Sequence, residues 1–249
     1  MNNRVGIILI STGKYDIFVQ PLVDSLDKYF FCGEGYDIYL FTDKNMIAIR
    51  TDRAKTTIRY VPTLPFPFPT LYRYKWITEN KDIFTADNIY YCDVDMLFVD
   101  SVGEEIFPNE SGLVAVRHPG YHINNGWGGR KTHVYSTAYV TPESMHDYYC
   151  GAFQGGSRKD YLCACELMAE NIRTDEDTAK RFGYYHNSGI LAEHNDETHW
   201  NKYLKLHDYK ELTPEYCMVE QPELRKLWEI DNLSPKIIAL EKKHKEIRK

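Results

Sequence analysis

The sequence predicts an α/β protein with a doubly wound sheet, and three observations carry that reading. An apolar run, RVGIILIST over 4–12, is followed by a helical pattern and then by two further strand-like runs. This β-α-β opening is how parallel sheets are connected. Residues 88–100, NIYYCDVDMLFVD, set the kind of apolar run that marks a buried parallel strand directly against two aspartates. A hydrophobic share of 43% over 249 residues is enough for a substantial core, in one large α/β domain or two small ones.

The elements follow in order. After the first strand, Ile17, Leu22, Leu26, Tyr29 and Phe30 lie near helical spacing over 16–31, with Pro21 as a kink or a late start. YDIYLFTD (36–43) is the second strand and TTIRYVP (56–62) the third. PTLPFPFP (62–69) can be neither helix nor central strand, because proline fixes φ and removes a donor, so an extended or turn path is expected. LYRYKWITENKDIF (71–84) returns to helix, with Arg73 and Lys75 near its start. Beyond the 88–100 stretch come a strand, LVAVRHP (113–119), a glycine-rich loop, INNGWGG (123–129), and a further strand, VYSTAYV (134–140). Residues 142–172 read as two helical pieces broken at Gly155 and Gly156. The GGS turn at 155–157 is either a plain break or a place where a ligand approaches the backbone closely. An acidic pair, Asp196 and Glu197, opens an amphipathic helix within 184–206. The basic tail over 235–249 begins with Ile237, Ile238 and Leu240, which argues that it packs down. No repeat, linker or domain boundary interrupts this order.

Composition narrows the function. A formal charge of −6 argues against nucleic acid as the main partner, and the absence of GxGxxG and GxxxxGK[ST] leaves phosphate binding by such loops unsupported. Twenty tyrosines suit carbohydrate surfaces, though most will be core. Cys32, Cys92, Cys150, Cys163, Cys165 and Cys217 show no zinc spacing and read as reduced, mostly buried thiols, with Cys163 and Cys165 in a helix core. No run approaches the length of a membrane span and a strand starts almost at once after Met1. The expectation is a cytoplasmic protein with neither signal peptide nor anchor.

Chemistry concentrates in two places. Asp93 and Asp95, flanking Val94 at the end of a buried strand, are costly without a cation. A divalent metal with hard oxygen ligands, sharing its shell with a diphosphate, would neutralise them; a surface turn is the plainer account of any bare DxD. Ligands of open α/β sheets bind outside the carboxyl ends of strands, where this pair falls. HNDETH (194–199) spaces its histidines five apart, which does not match a zincin helix. Asp196 and Glu197 fit better as one helix-capping and one cleft-facing carboxylate.

Taken together, FTD (41–43), YYCDVDM (90–96), HPGY (118–121), STAY (136–139), YYCGAFQGGS (148–157), NDETHWNKYL (195–204) and LTPEYC (212–217) resemble glycosyltransferase family 6. These are the retaining α1,3-Gal/GalNAc transferases that include the histo-blood-group A and B enzymes. The resemblance covers nearly the whole chain and implies a GT-A fold, a Rossmann-like mixed sheet flanked by helices. It implies one domain, with a nucleotide-binding half over about 1–100, an acceptor half over about 101–234 and the basic tail at 235–249. The anchor and stem of mammalian members are missing, so the chain looks like the shorter microbial or phage type. By the resemblance, Tyr15 stacks near uracil, Ile10 and Thr12 line that pocket, and Asp93, Val94 and Asp95 meet the UDP diphosphate. The two aspartates would act through Mn²⁺ or Mg²⁺. Arg73 and Asp196 would hold the donor sugar, and Glu197 would be the catalytic carboxylate beneath its anomeric carbon. Lys236, Lys242 and Arg248 fall at the spacing of the family's phosphate clamp. Ala152 and Gly155 would lie by the donor, and His118, Cys150 and His194 by an oligosaccharide acceptor. Ala152, like the B enzyme's alanine, favours UDP-Gal. His194 replaces the family's acceptor-platform tryptophan, which leaves the acceptor open.

Overall fold

The first strand, β1 (Val5–Ser11), is buried along its whole length. The structure, a computed structural model, describes residues 3–123, 126–145, 147–182, 191–243 and 247. After β1, a 3₁₀ turn over Gly13–Phe18 leads into α1 (Val19–Tyr29), so Pro21 marks the late start and not a kink. β2 (Tyr36–Thr42), β3 (Ala54–Tyr60), α2 (Phe68–Leu71) and α3 (Arg73–Glu79) complete the first half. β4 (Asn88–Cys92), β5 (Met96–Phe98) and β6 (Leu113–Arg117) precede β7 (Tyr149–Ser157) and the long α4 (Arg158–Arg181). α5 (Asp196–Leu204), β8 (Lys210–Leu212), β9 (Met218–Val219), α6 (Pro222–Leu227) and β10 (Ile237–Ala239) follow.

Seven strands form one mixed sheet in the order β3-β2-β1-β4-β7-β6-β8. β1 runs parallel to β2 and β4, while β7 is antiparallel to both β4 and β6. Alternation along β1 assigns the two faces. Ile7 and Leu9 pack with Val19, Leu22 and Leu26 of α1, whereas Ile8 packs with residues of α3, α4 and α5. The α/β architecture expected from the opening is therefore present, with helices on both faces. A second sheet, β5-β10-β9, docks the tail onto the strand that follows the aspartates. No helix among the described residues is long and apolar enough to cross a membrane.

Several expectations are corrected. Residues 149–157 are a central strand and not part of a broken helix. Its glycines are required by the sheet: a Cβ on Gly155 would lie 2.3 Å from the Ile89 carbonyl oxygen, and Gly156 has φ +147°. The run at 134–140 is not a strand; its amides close local turns, Ser136 onto His133 and Tyr139 onto Ser136. The thiols are not all reduced and buried. Cys150 and Cys217 form a disulfide, Cys92 and Cys165 are buried, and Cys32 and Cys163 are exposed. The helix expected over 71–84 is divided: the proline-rich path ends in the single turn of α2, α3 spans Arg73–Glu79, and a 3₁₀ turn over Lys81–Ile83 follows.

Candidate functional site

The site forms where β4 ends. After Cys92 the chain turns through Asp93, Val94 and Asp95 before β5 begins, and Met96 N–H closes that turn on the Asp93 carbonyl at 3.2 Å. The turn is tied sideways to β7, Asp93 N–H donating to the Ala152 carbonyl at 2.8 Å. One residue back, Gly151 N–H donates to Glu197 Oε2 at 2.8 Å. The Gly151–Ala152 dipeptide thus holds the aspartate turn and the α5 carboxylate on the two sides of one strand end.

Arg73 joins the same groups. Its Nη2 lies 3.1 Å from Asp93 Oδ1, and its Nη1 lies 3.0 Å from Asp196 Oδ2 and donates to the Gly151 carbonyl at 2.7 Å. The guanidinium also lies 3.8 Å from the Tyr91 ring centre. Arg73 and Asp196 are only 3% and 4% exposed. Burial raises the Asp196 pKa, Arg73 pulls it down, and Asp93 and Glu197 add to the rise, the balance lying at about 7. Arg73 itself stays charged; its desolvation is outweighed by Asp196 and then by Tyr91 and Asp93. Neither acid caps α5, since Asp196 is taken by Arg73 and Glu197 by Gly151; the expected division into one cap and one cleft carboxylate does not hold.

Asp95 is buried, and the Lys242 ammonium sits against its Oδ2. The tail backbone is held at the same place, Leu240 N–H donating to the Asp95 carbonyl at 2.9 Å. Asp93 Oδ1 accepts from Tyr91 Oη at 2.5 Å. Two carboxylates set close together in one turn supply the hard oxygen donors that a divalent cation takes. Among the described residues no third His, Cys, Asp or Glu completes a metal cluster with them.

A cleft of about 420 Å³ opens at this turn. Ile10, Thr12 and Tyr15 line one wall, Asp93, Val94, Asp95 and Lys242 the floor, and Thr63 to Phe66 of the proline-rich stretch the other wall. The volume suits a small-molecule ligand. Asp43 of the FTD run spans the two walls, accepting from Gly13 N–H at 2.8 Å and Thr63 Oγ1–H at 2.7 Å. Sequence reading missed Tyr91 and the proline-rich wall; the stiffness of that stretch, just ahead of the Arg73 helix, was the available signal.

Beside Glu197 lies an aromatic group, the carboxylate acting on both His118 and Tyr148. The His118 ring is 4.9 Å from Tyr121 and 5.8 Å from Tyr148, and Tyr148 is 6.3 Å from His194. His118 Nδ1 accepts from Gly120 N–H at 3.0 Å, which leaves its proton on Nε2. Burial holds the His118 pKa below its usual value, with Glu197 raising it and His194 lowering it.

The remaining expected residues fall elsewhere. Gly155 is inside the sheet, opposite Tyr90, where the backbone of β4 approaches it closely. The Cys150 sulfur is bonded to Cys217 in the core shared with α1. Lys236 is committed to Glu105 Oε1 at 2.7 Å and the Ser101 carbonyl at 2.8 Å, and so anchors the tail outside the cleft lining. Arg248 lies outside the described residues.

The profile of glycosyltransferase family 6 matches residues 1–249. The chain belongs to glycosyltransferase family 6. Relatives of this glycosyltransferase include Histo-blood group ABO system transferase 2 of Rattus norvegicus, 27% identical over 264 residues, spanning 99% of this chain and 72% of the relative. Globoside alpha-1,3-N-acetylgalactosaminyltransferase 1 of Homo sapiens is 25% identical over 256 residues, spanning 96% of this chain and 69% of its own. The mixed seven-stranded sheet with helices on both faces agrees with the GT-A architecture expected of the family.

Proposed function

We propose that this family 6 glycosyltransferase moves Gal or GalNAc from a UDP-sugar to a galactosyl-bearing oligosaccharide, forming an α1,3 bond with retention. The observation that carries this is the Gly151–Ala152 dipeptide, which holds Asp93 on one side and Glu197 on the other, with Arg73 bridging Asp93 and Asp196. A diphosphate at the aspartate turn would then leave its sugar beside Glu197. Ile10, Thr12 and Tyr15 would face the base, and Arg73 and Asp196 the sugar hydroxyls.

Asp93 and Asp95 would hold Mn²⁺ or Mg²⁺, which when bound supplies Lewis-acid stabilisation of the charge that builds on the departing diphosphate. Lys242, already against Asp95, supplies cationic charge from the tail at the same end. Glu197 faces the sugar from the side opposite the diphosphate. There its carboxylate stabilises the oxocarbenium-like centre or bonds to it, and Gly151 N–H fixes its orientation. His118, with its proton on Nε2, and His194 offer hydrogen bonds to acceptor hydroxyls beside the faces of Tyr121 and Tyr148. Ala152 favours UDP-Gal, because a methyl there crowds the donor's C2 substituent.

The test is UDP release from a panel of UDP-sugars, with and without galactosyl acceptors and Mn²⁺. Acceptor-dependent release with UDP-Gal or UDP-GalNAc, lost in Glu197→Gln, is expected. Turnover only with other sugars would make this a GT-A transferase of different specificity, and binding without turnover a carbohydrate-binding protein.

A further inference from the structure

A buried polar cluster lies outside the cleft, between α4, α5 and the 126–145 segment. Asp175 of α4 is fully buried, Ser136 is 5% exposed and His199 2%. Asp175 Oδ2 accepts from Ser136 Oγ–H at 2.5 Å, and Oδ1 accepts from Thr137 N–H at 2.7 Å. Thr137 Oγ1–H adds a bond to the Asn171 carbonyl at 3.2 Å. His199 Nε2, from the helix that carries Glu197, lies 3.6 Å from Asp175 Oδ2. Burial raises the pKa of Asp175 and lowers that of His199, so the pair is costly to keep here. A buried carboxylate with two short hydrogen bonds to one irregular segment fixes that segment firmly.

The other end of the segment meets the aromatic group beside Glu197. The Trp127 ring packs edge-on to Tyr148 at 5.2 Å. A Cβ on Gly128 would lie 2.6 Å from the Tyr148 ring and 3.1 Å from His194, and one on Gly129 would lie 2.6 Å from Thr198. Between these ends, Lys131 N–H donates to Glu193 Oε2 at 2.7 Å and Glu193 N–H to Thr132 Oγ1 at 3.2 Å. The segment therefore backs His194 and Tyr148 at one end and hangs from Asp175 at the other.

We propose that Asp175 is a positioning residue for the acceptor: through Ser136 and Thr137 it holds the 126–140 wall against His194 and Tyr148, and sets acceptor binding without touching the donor cleft. This rests on the reading of that aromatic group as the acceptor side. The test compares Asp175→Ala, Asp175→Asn and Ser136→Ala with the wild type. It measures KM and kcat for transfer to a galactosyl acceptor, and separately the KM and rate for hydrolysis of the UDP-sugar by water.

Asp175→Ala should raise the acceptor KM at least tenfold and leave donor KM and hydrolysis within twofold. Asp175→Asn, which keeps a carbonyl acceptor in the same space, should recover part of that loss. Equal losses on both substrates, or an unchanged acceptor KM in a folded variant, would overturn the proposal. If Asp175→Ala does not fold, Ser136→Ala decides, with a three- to tenfold rise in acceptor KM expected and no change refuting. A wild type inert with every UDP-sugar would refute the functional reading instead. Hydrogen exchange then still tests the anchor: amides of 127–140 should lose protection in Ser136→Ala while those of β1 and β2 do not, and unchanged protection would sink it.

Discussion

Replacing Arg73 by Met removes a cation that faces both Asp93 and Asp196, at 3.1 and 3.0 Å. Breaking a buried ion pair from one side costs about 3–5 kcal/mol, because the partner charge stays behind in a low-dielectric site. Asp196, with its side chain only 6% exposed, falls fully under that estimate, whereas Asp93, at 32%, is solvated enough to add little. The expected loss is about 4 kcal/mol, or roughly 8–16 °C in Tm for a chain of this size. The loss should depend on pH. Asp196 binds its proton more tightly in the folded state, near 7, than in the unfolded chain. Its contribution is therefore fully present below its unfolded pKa and is lost as pH rises through the folded value. Without Arg73, which pulls that value down, the carboxyl takes up a proton still more readily, so the variant should lose less stability at pH 5 than at pH 8. Urea melts at both pH values measure this, with Asp196→Asn and the double variant closing a thermodynamic cycle. A loss under about 1 kcal/mol, or one equal at pH 5 and 8, would refute the reasoning.

Three further outcomes are expected. EDTA should abolish transfer and Mn²⁺ restore it, and Asp95→Asn should lose at least about a hundredfold in kcat while staying folded; full activity in chelator would assign the diphosphate charge to side chains alone. Ala152→Gly should move the UDP-Gal to UDP-GalNAc ratio of kcat/KM toward GalNAc by about tenfold, within the about 1–3 kcal/mol that a methyl-sized change supplies, and an unchanged ratio would show that other residues shape the pocket. His199, whose pKa burial depresses to about 3, contributes stability that is present above its unfolded pKa and is lost as pH falls. The loss is about 2 kcal/mol between pH 6.5 and 5, opposed at its lower end by the raised pKa of Asp175. Urea midpoints should fall less over that range in His199→Asn, and an identical fall would locate the acid sensitivity elsewhere.

Strands buried on both faces were legible because their sequences are continuous apolar runs, as in β1 and β2. β7 is nearly as buried but carries Gly151, Gly155 and Gly156, and its need for the last two comes from β4 and from the chain entering β6 lying alongside. Local pattern holds no trace of that neighbour. The 134–140 run has strand-like composition, yet its polar groups are claimed by Asp175, nearly forty residues away. At the site, Asp93, Asp95 and Glu197 were legible as carboxylates in unusual places, and the structure brings them to one strand end. The path of the proline-rich wall and the sequestering of Lys236 by Glu105 were not, since both depend on which surfaces meet.

The pairing of Ile237 with Phe98 orders events during synthesis. The ribosome delivers β1, β2 and β4 early, and they can associate while the rest of the chain is still being made. β5 must wait for β10, and Asp95 must wait with it, because Lys242 and the Leu240 amide arrive only just after that strand. A nascent chain stalled before β10 would already expose the carboxylate turn but lack the ammonium that belongs against it. Such an intermediate would carry two close negative charges and the bare edge of a short strand, a surface suited to holding by a chaperone until the residues that follow β10 emerge.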